Sequence, residues 1–156
     1  MRRNLGTLLL LPALLGLAGC GDDETASDPV DRPSTDPSPT SLEYDVLAIV
    51  SETAVGGTVS EQLTPVSEPG ALSAFLEQFE NGAFSEEISA EVEGHDPADG
   101  SVVAAAVVAI GCDVPPGVTV TAADDGYVVR ADKITEPLKE CFAPVTSVAI
   151  VEVPQS

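Results

Sequence analysis

Three cysteines and one histidine are the side chains of this 156-residue chain best suited to chemistry, and their spacing limits what that chemistry can be. Cys20 stands near the start. Cys112 and Cys141 stand far down the chain, and His95 precedes them in the Gly- and Asp-rich stretch EGHDPADG. A thiol nucleophile would use His95 as its base, and a metal site would combine both distal thiols with His95. Neither arrangement has a local signature, because the cysteines are widely separated and no second histidine is present. No catalytic residue and no metal ligand is assigned, and no cofactor is expected. A loop histidine outside a core is expected to contribute little.

The acids offer further chemistry. Glu86-Glu87, Glu91 with Glu93, and Asp96 with Asp99 have the composition of a general acid and base. Asp96, Asp99, Asp124 and Asp125 carry the oxygen ligands calcium prefers. Their spacing follows no catalytic or calcium-loop pattern, so solvated surface charge is the simpler reading. Gly56-Gly57 presents backbone amides to an anion, although a tight turn accounts for the pair equally well. The chain has no Walker loop, no HExxH, no GxSxG and no internal repeat.

The amino-terminal residues are more specific. Arg2 and Arg3 head an apolar run over residues 5–17, and Leu17-Ala18-Gly19-Cys20 closes it. A basic start, a short apolar stretch and small residues before a cleavage point make up the export-signal pattern. The ending resembles the lipobox of bacterial prolipoproteins, in which a diacylglyceryl group is attached to the cysteine thiol and a dedicated peptidase then cuts before it. The resemblance implies that residues 1–19 are a lipoprotein signal peptide and that Cys20 is the lipidation site. It also implies a folded part outside the cytoplasm, at the cell surface or in the periplasm, held to the cell membrane by its lipid. A membrane-spanning helix is the weaker reading, since a span needs about 20 apolar residues. The run here is shorter, contains Pro12 and is followed at once by Asp22, Asp23 and Glu24. Two or more acyl chains hold stably where one is marginal, so an acylated Cys20 is a durable anchor.

Residues 20–40 read as a tether. They hold Pro29, Pro33, Pro37 and Pro39, several acids and almost no apolar side chains, and so cannot bury enough surface to offset the entropy of ordering. Such a linker averages roughly 25 Å end to end and stretches to about 60 Å. Residues 41–156 then form a single domain large enough for a core. The formal charge is −20, and loss of Arg2 and Arg3 with the signal peptide makes it more negative. Nucleic acid is excluded as a partner by this charge, because its binding depends on Lys and Arg neutralising phosphates.

With Cys20 assigned to lipid, Cys112 and Cys141 remain as a pair in an exported domain, where an even count favours a structural disulfide. Closing a loop of about 30 residues contributes on the order of 3 to 4 kcal/mol by chain-entropy reasoning.

Periodicity predicts the elements that position these residues. Residues 42–51 and 58–63 read as strands around the Gly56-Gly57 turn. The segment SEPGALSAFLEQFENG places Leu72, Phe75, Leu76 and Phe79 on one helical face, with Ser67 as N-cap, Pro69 in the first turn and Asn81-Gly82 as the stop. Residues 88–92 read as a short edge strand. Residues 102–110 form a continuous apolar run, read as a buried strand between Gly100 and Gly111, with a helix left open by its alanines. Residues 118–121 and 127–131 flank an Asp-Gly hairpin turn. A helical turn over 137–141 leads into a last strand over 145–153. The expected fold class is α+β: a largely antiparallel sheet, one main helix on one face, and the disulfide tying the 117–141 excursion to the sheet.

The order strand, Val55-Gly56-Gly57-Thr58, strand and a late terminal strand is similar to the small β-rich domain of certain bacterial protease-complex inhibitor lipoproteins, which carries a strand-PTGG-strand motif. Ala54-Val55 stand where that motif has Pro-Thr, and a helix and some 40 residues intervene before the later strands, so no functional residue is carried across. The expected function is a membrane-tethered, extracytoplasmic, non-catalytic binding or interaction module whose partner is an envelope protein or a small ligand. An envelope enzyme or a protease-inhibitor-like domain is the alternative.

Overall fold

The computed structural model describes residues 42–155. Cys20 with its lipobox, the signal peptide and the tether lie outside the described residues. The elements run β1 (Asp45–Thr53), β2 (Thr64–Pro65), α1 (Pro69–Leu76), α2 (Gly82–Glu93), β3 (Ser101–Gly111), β4 (Val118–Ala123), β5 (Gly126–Ala131) and β6 (Val145–Pro154). Four strands form one antiparallel sheet in the order β1-β6-β3-β2, and β4 and β5 form a separate hairpin.

The last strand in sequence lies inside the sheet, between β1 and β3. That position explains the unbroken apolar runs of β3 and β6, since both are covered on two faces. Val103, Ala105 and Val107 of β3, with Val148 and Ile150 of β6, join the core beneath the helices. Ala104, Ala106 and Val108, with Ala149, Val151 and Val153, join a second core shared with Val118, Val120 and Val129 of the hairpin. A period of two with both phases apolar is the pattern of a strand buried on both sides. The buried-strand reading of this run therefore holds, and the helix left open there does not form.

The antiparallel sheet, the hairpin and the late strand agree with the α+β expectation, but the single main helix does not. Helix α1 is shorter than its periodicity suggested, and a second helix follows it. Asn81 starts that helix instead of stopping the first: its side-chain oxygen accepts from the N–H groups of Ala83 and Phe84 at 2.9 and 3.3 Å, satisfying donors that a helix start leaves unpaired. Phe84, Ile88 and Val92 recur every fourth residue and are the buried face of α2. Residues 88–92 are thus helical, not an edge strand. Each of these side chains contributes roughly 1.5 to 3 kcal/mol through its burial. Phe79, between the helices, stands edge-on to Phe75 and to Phe84 with ring centroids 5.7 and 5.0 Å apart.

Three smaller expectations also change. Glu68, not Ser67, is the N-cap of α1, and its side chain makes no cap bond. Residues 58–63 are irregular apart from an isolated bridge between Gln62 and Val128. They pass from β3, where the Ser60 N–H donates to the Val107 carbonyl at 3.0 Å, to β5, where the Leu63 N–H donates to the Tyr127 carbonyl at 3.1 Å and the Val129 N–H to the Glu61 carbonyl at 2.7 Å. Residues 137–141 form no helical turn. The hairpin is present as expected, with Ala123 opposite Gly126 and Gly126 at a φ of 121°.

Candidate functional site

The two ends of the sheet carry the chemistry-bearing residues, and they lie far apart. Asp45 of β1 pairs with Glu152 near the end of β6, while Thr53 pairs with Val145 at its start. A nine-residue strand spans about 30 Å between these ends. His95 belongs to the first end and the cysteine pair to the second.

At the first end, helix α2 stops at Gly94, whose N–H reaches the Ala90 carbonyl, and the chain turns back across β6. His95 Nε2 lies 2.5 Å from Glu152 Oε2, and the Ala98 N–H donates to Glu152 Oε1 at 3.0 Å. The His95 side chain is half-buried and that of Glu152 is mostly covered, at 12 % exposure. The hydrogen bond with His95, and after it that from Ala98, holds the Glu152 carboxyl below the usual carboxylate value, against the opposing effect of burial. His95 is therefore not the unsupported loop histidine expected from the sequence. It latches the 94–100 loop to the central strand.

A cleft of about 270 Å³ opens beside this latch, lined by Val66, Leu72, Val92 and Val103 with Ser67, Glu93, His95 and Pro97. Ser67 is the one hydroxyl among these residues, and it is already engaged. Its oxygen accepts the Val103 N–H at 2.9 Å and donates to the Val103 carbonyl at 3.3 Å. This orients the hydroxyl along the strand edge and makes it a substitute for a strand partner. A histidine with a carboxylate can serve as base and orienter, but a serine bound in this way is not an activated nucleophile.

At the second end, Cys112 follows β3 and Cys141 precedes β6, and the two are joined as a disulfide with their Cα atoms 5.3 Å apart. Both sulfurs are consumed, so the thiol-nucleophile and thiolate-metal readings have no free ligand or nucleophile here. Among the described residues no group of three or more His, Cys, Asp or Glu side chains gathers as a metal site. Glu86, Glu87, Glu91, Glu93, Asp96, Asp99, Asp124 and Asp125 are all exposed. Gly56 is part of a packed turn, its carbonyl taken by the Thr146 hydroxyl at 2.7 Å, and a Cβ on Gly57 would stand 3.0 Å from the Phe79 ring.

The disulfide secures a lobe made of residues 112–117 and 132–144. The Leu138 N–H donates to both carboxylate oxygens of Asp113 at 3.3 and 3.0 Å. At the base of the lobe the Asp132 N–H reaches the Gly117 carbonyl at 2.9 Å, and the Thr119 hydroxyl donates to Asp132 at 2.9 Å. At its return the Pro144 carbonyl accepts the Ala54 N–H at 2.9 Å. Apolar side chains are exposed on it among charged ones: Phe142 is fully exposed, Leu138 is 61 % exposed and Val114 is exposed, as are Lys133, Glu136, Lys139 and Glu140. Sequence reasoning found the staple but not this surface, although Phe142 next to Cys141 outside any periodic run was the signal available.

No protein family, curated protein or solved structure matches this chain, and among the described residues no helix is long and apolar enough to cross a membrane.

Proposed function

We propose that this chain is a lipid-anchored extracytoplasmic lipoprotein whose folded domain is a non-catalytic binding module, and that the stapled lobe is its docking surface. The observation that carries the reading is Phe142, fully exposed together with Leu138 on a loop fixed by the disulfide and the Asp113 bond. An aromatic anchor held rigidly in the free protein is what docking favours, because little ordering entropy remains to be lost. At the His95 end, Ser67 is the one hydroxyl lining the cleft, and it is bonded to the Val103 backbone, which supports binding over nucleophilic catalysis.

Phe142→Ser in the full chain is the test. It should abolish biological function while leaving amount and folding unchanged; retained function would remove the lobe from the reading. The anchor has its own test. Mass spectrometry of the mature amino terminus should find an acylated Cys20, and Cys20→Ser should release the protein from the membrane; an intact, unlipidated Met1 in the native host would sink the anchor. Deleting the tether while keeping Cys20 should impair function, since the module must cross the space the tether spans. A constrained convex loop is also how an inhibitor presents itself to a protease. Inhibition of an envelope protease that Phe142→Ser removes would select the inhibitor-like form of the same reading.

A further inference from the structure

We propose that the occupant of the lobe is a second copy of this chain. The two lobes would pair about a two-fold axis, with Lys133 and Lys139 of one copy meeting Glu136 and Glu140 of the other around Phe142 and Leu138. This deepens the docking-lobe reading above and rests on it.

Charge selects this occupant. Among the described residues the cations are Arg130, Lys133 and Lys139, set against twenty carboxylates. Arg130 is engaged by Glu61 through two bonds of 3.1 and 3.0 Å. Lys133 and Lys139 make no ion pair or hydrogen bond among the described residues, and both lie in the lobe. Two of the lobe's four acids are partly covered and accept bonds from within the domain, Asp113 from the Leu138 N–H and Asp132 from the Thr119 hydroxyl, whereas Glu136 and Glu140 are exposed. The outward set is then two lysines and two glutamates, balanced in sign, beside exposed Phe142, Leu138 and Val114. Elsewhere the surface is acidic, and two copies repel each other. A two-fold contact is self-complementary by construction, so a patch carrying equal numbers of both signs satisfies itself.

The patch as drawn holds seven side chains, Val114, Lys133, Glu136, Leu138, Lys139, Glu140 and Phe142, against the roughly 20 to 30 residues a side of a stable interface. Pairing is therefore weak between free molecules and strengthened when two copies share one membrane, where anchoring raises their effective concentration.

Lys133 and Lys139 are the only side-chain amines in the sequence, which makes zero-length carbodiimide coupling a direct readout. The acylated full chain, mixed in two nitrogen-isotope forms on phosphatidylcholine vesicles, should give covalent dimers. Their mixed-isotope peptides should join Lys133 or Lys139 to Glu136 or Glu140. Phe142→Ser should cut the dimer yield by about tenfold, the scale of losing one anchor residue. A Glu136→Lys, Glu140→Lys variant should fail to form links between copies, and mixing it with a Lys133→Glu, Lys139→Glu variant, which has no side-chain amine of its own, should restore them. Absence of mixed-isotope links, or links ending on acids outside the lobe such as Glu86 or Asp124, would overturn the pairing. If Phe142→Ser abolishes biological function while no such links form, the lobe stands as a docking surface and its partner is a different protein. Should Cys20 carry no lipid, the same coupling at about 1 mM protein, a strength within the effective concentrations of short tethers, reads the pairing without the anchor.

Discussion

The two ends of the central sheet handle their exposed groups in opposite ways. At one end the 94–100 loop is latched through polar groups, His95 and the Ala98 N–H both meeting Glu152, with Asp96 and Asp99 left in water, and the cleft beside it is lined largely by apolar side chains. At the other end Asp113 and Asp132 hold the loop by hydrogen bonds, and Phe142 and Leu138 are left in water. Burying Phe142 would have stabilised the domain by roughly 1.5 to 3 kcal/mol. A stapled loop that forgoes that gain, at the pole opposite the His95 latch, is what the docking-lobe proposal rests on. Residue type alone points the other way, since histidine and carboxylates are the usual markers of a site.

Breaking the staple should have the largest effect. Replacing both Cys112 and Cys141 by serine should lower the unfolding free energy by about 2 to 5 kcal/mol, read from the urea midpoint. Docking should weaken as well, because the lobe loses its fixed shape. An unchanged midpoint would mean that Asp113 and the Gly117–Asp132 contact hold the lobe without the disulfide.

A smaller loss is expected at the other end. The carboxyl of Glu152 is held below its ordinary value of 4.5, so the unfolded chain binds the proton more tightly than the folded one between the two values. Stability from this group is complete above the ordinary value and is lost as pH falls through the lowered one. His95→Ala removes the largest cause of the shift. The variant should be less stable than the wild-type chain near neutral pH by less than the disulfide variant. The difference between the two proteins should shrink as the pH falls below the ordinary carboxylate value, measured as urea midpoints at a series of pH values. A gap that stays constant down to acid would assign the effect of His95 to packing.

The sheet was legible in the sequence because its signal is strong and local. Residues 102–110 and 145–153 are unbroken apolar runs, and two covered faces require that. Residues 88–92 were misread because Ile88, Ala90 and Val92 alternate over so short a window; only Phe84, one turn earlier, selects the helical period. Asn81-Gly82 was ambiguous for a different reason, since the same side chain that marks a stop also caps a start. The latch could not be read at all. His95 and Glu152 are 57 positions apart, and the central placement of β6 that brings them together is a tertiary fact with no local trace. The cysteine pair was legible from its even count once Cys20 was set aside for lipid and an exported domain was expected, but the exposure of Phe142 depends on where its loop points, which periodicity does not encode.

The smallest effect on stability, and the sharpest contrast, should come from Phe142→Ser. A side chain that is fully exposed in the folded chain loses no burial when it is shortened, so the urea midpoint should move by no more than about 0.5 kcal/mol equivalent. His95→Ala should do the reverse, costing stability while leaving docking intact, because its partner Glu152 sits at the opposite pole of β6. Measuring both variants for unfolding and for carbodiimide-linked dimers separates the two ends. If Phe142→Ser destabilised the domain as much as His95→Ala, the lobe would be packing its aromatic ring against the fold, and the contrast between an inward end and an outward end would fail. If His95→Ala also abolished docking, the latch and the lobe would be coupled through β6, and the surface that meets the partner would have to include the strand between them.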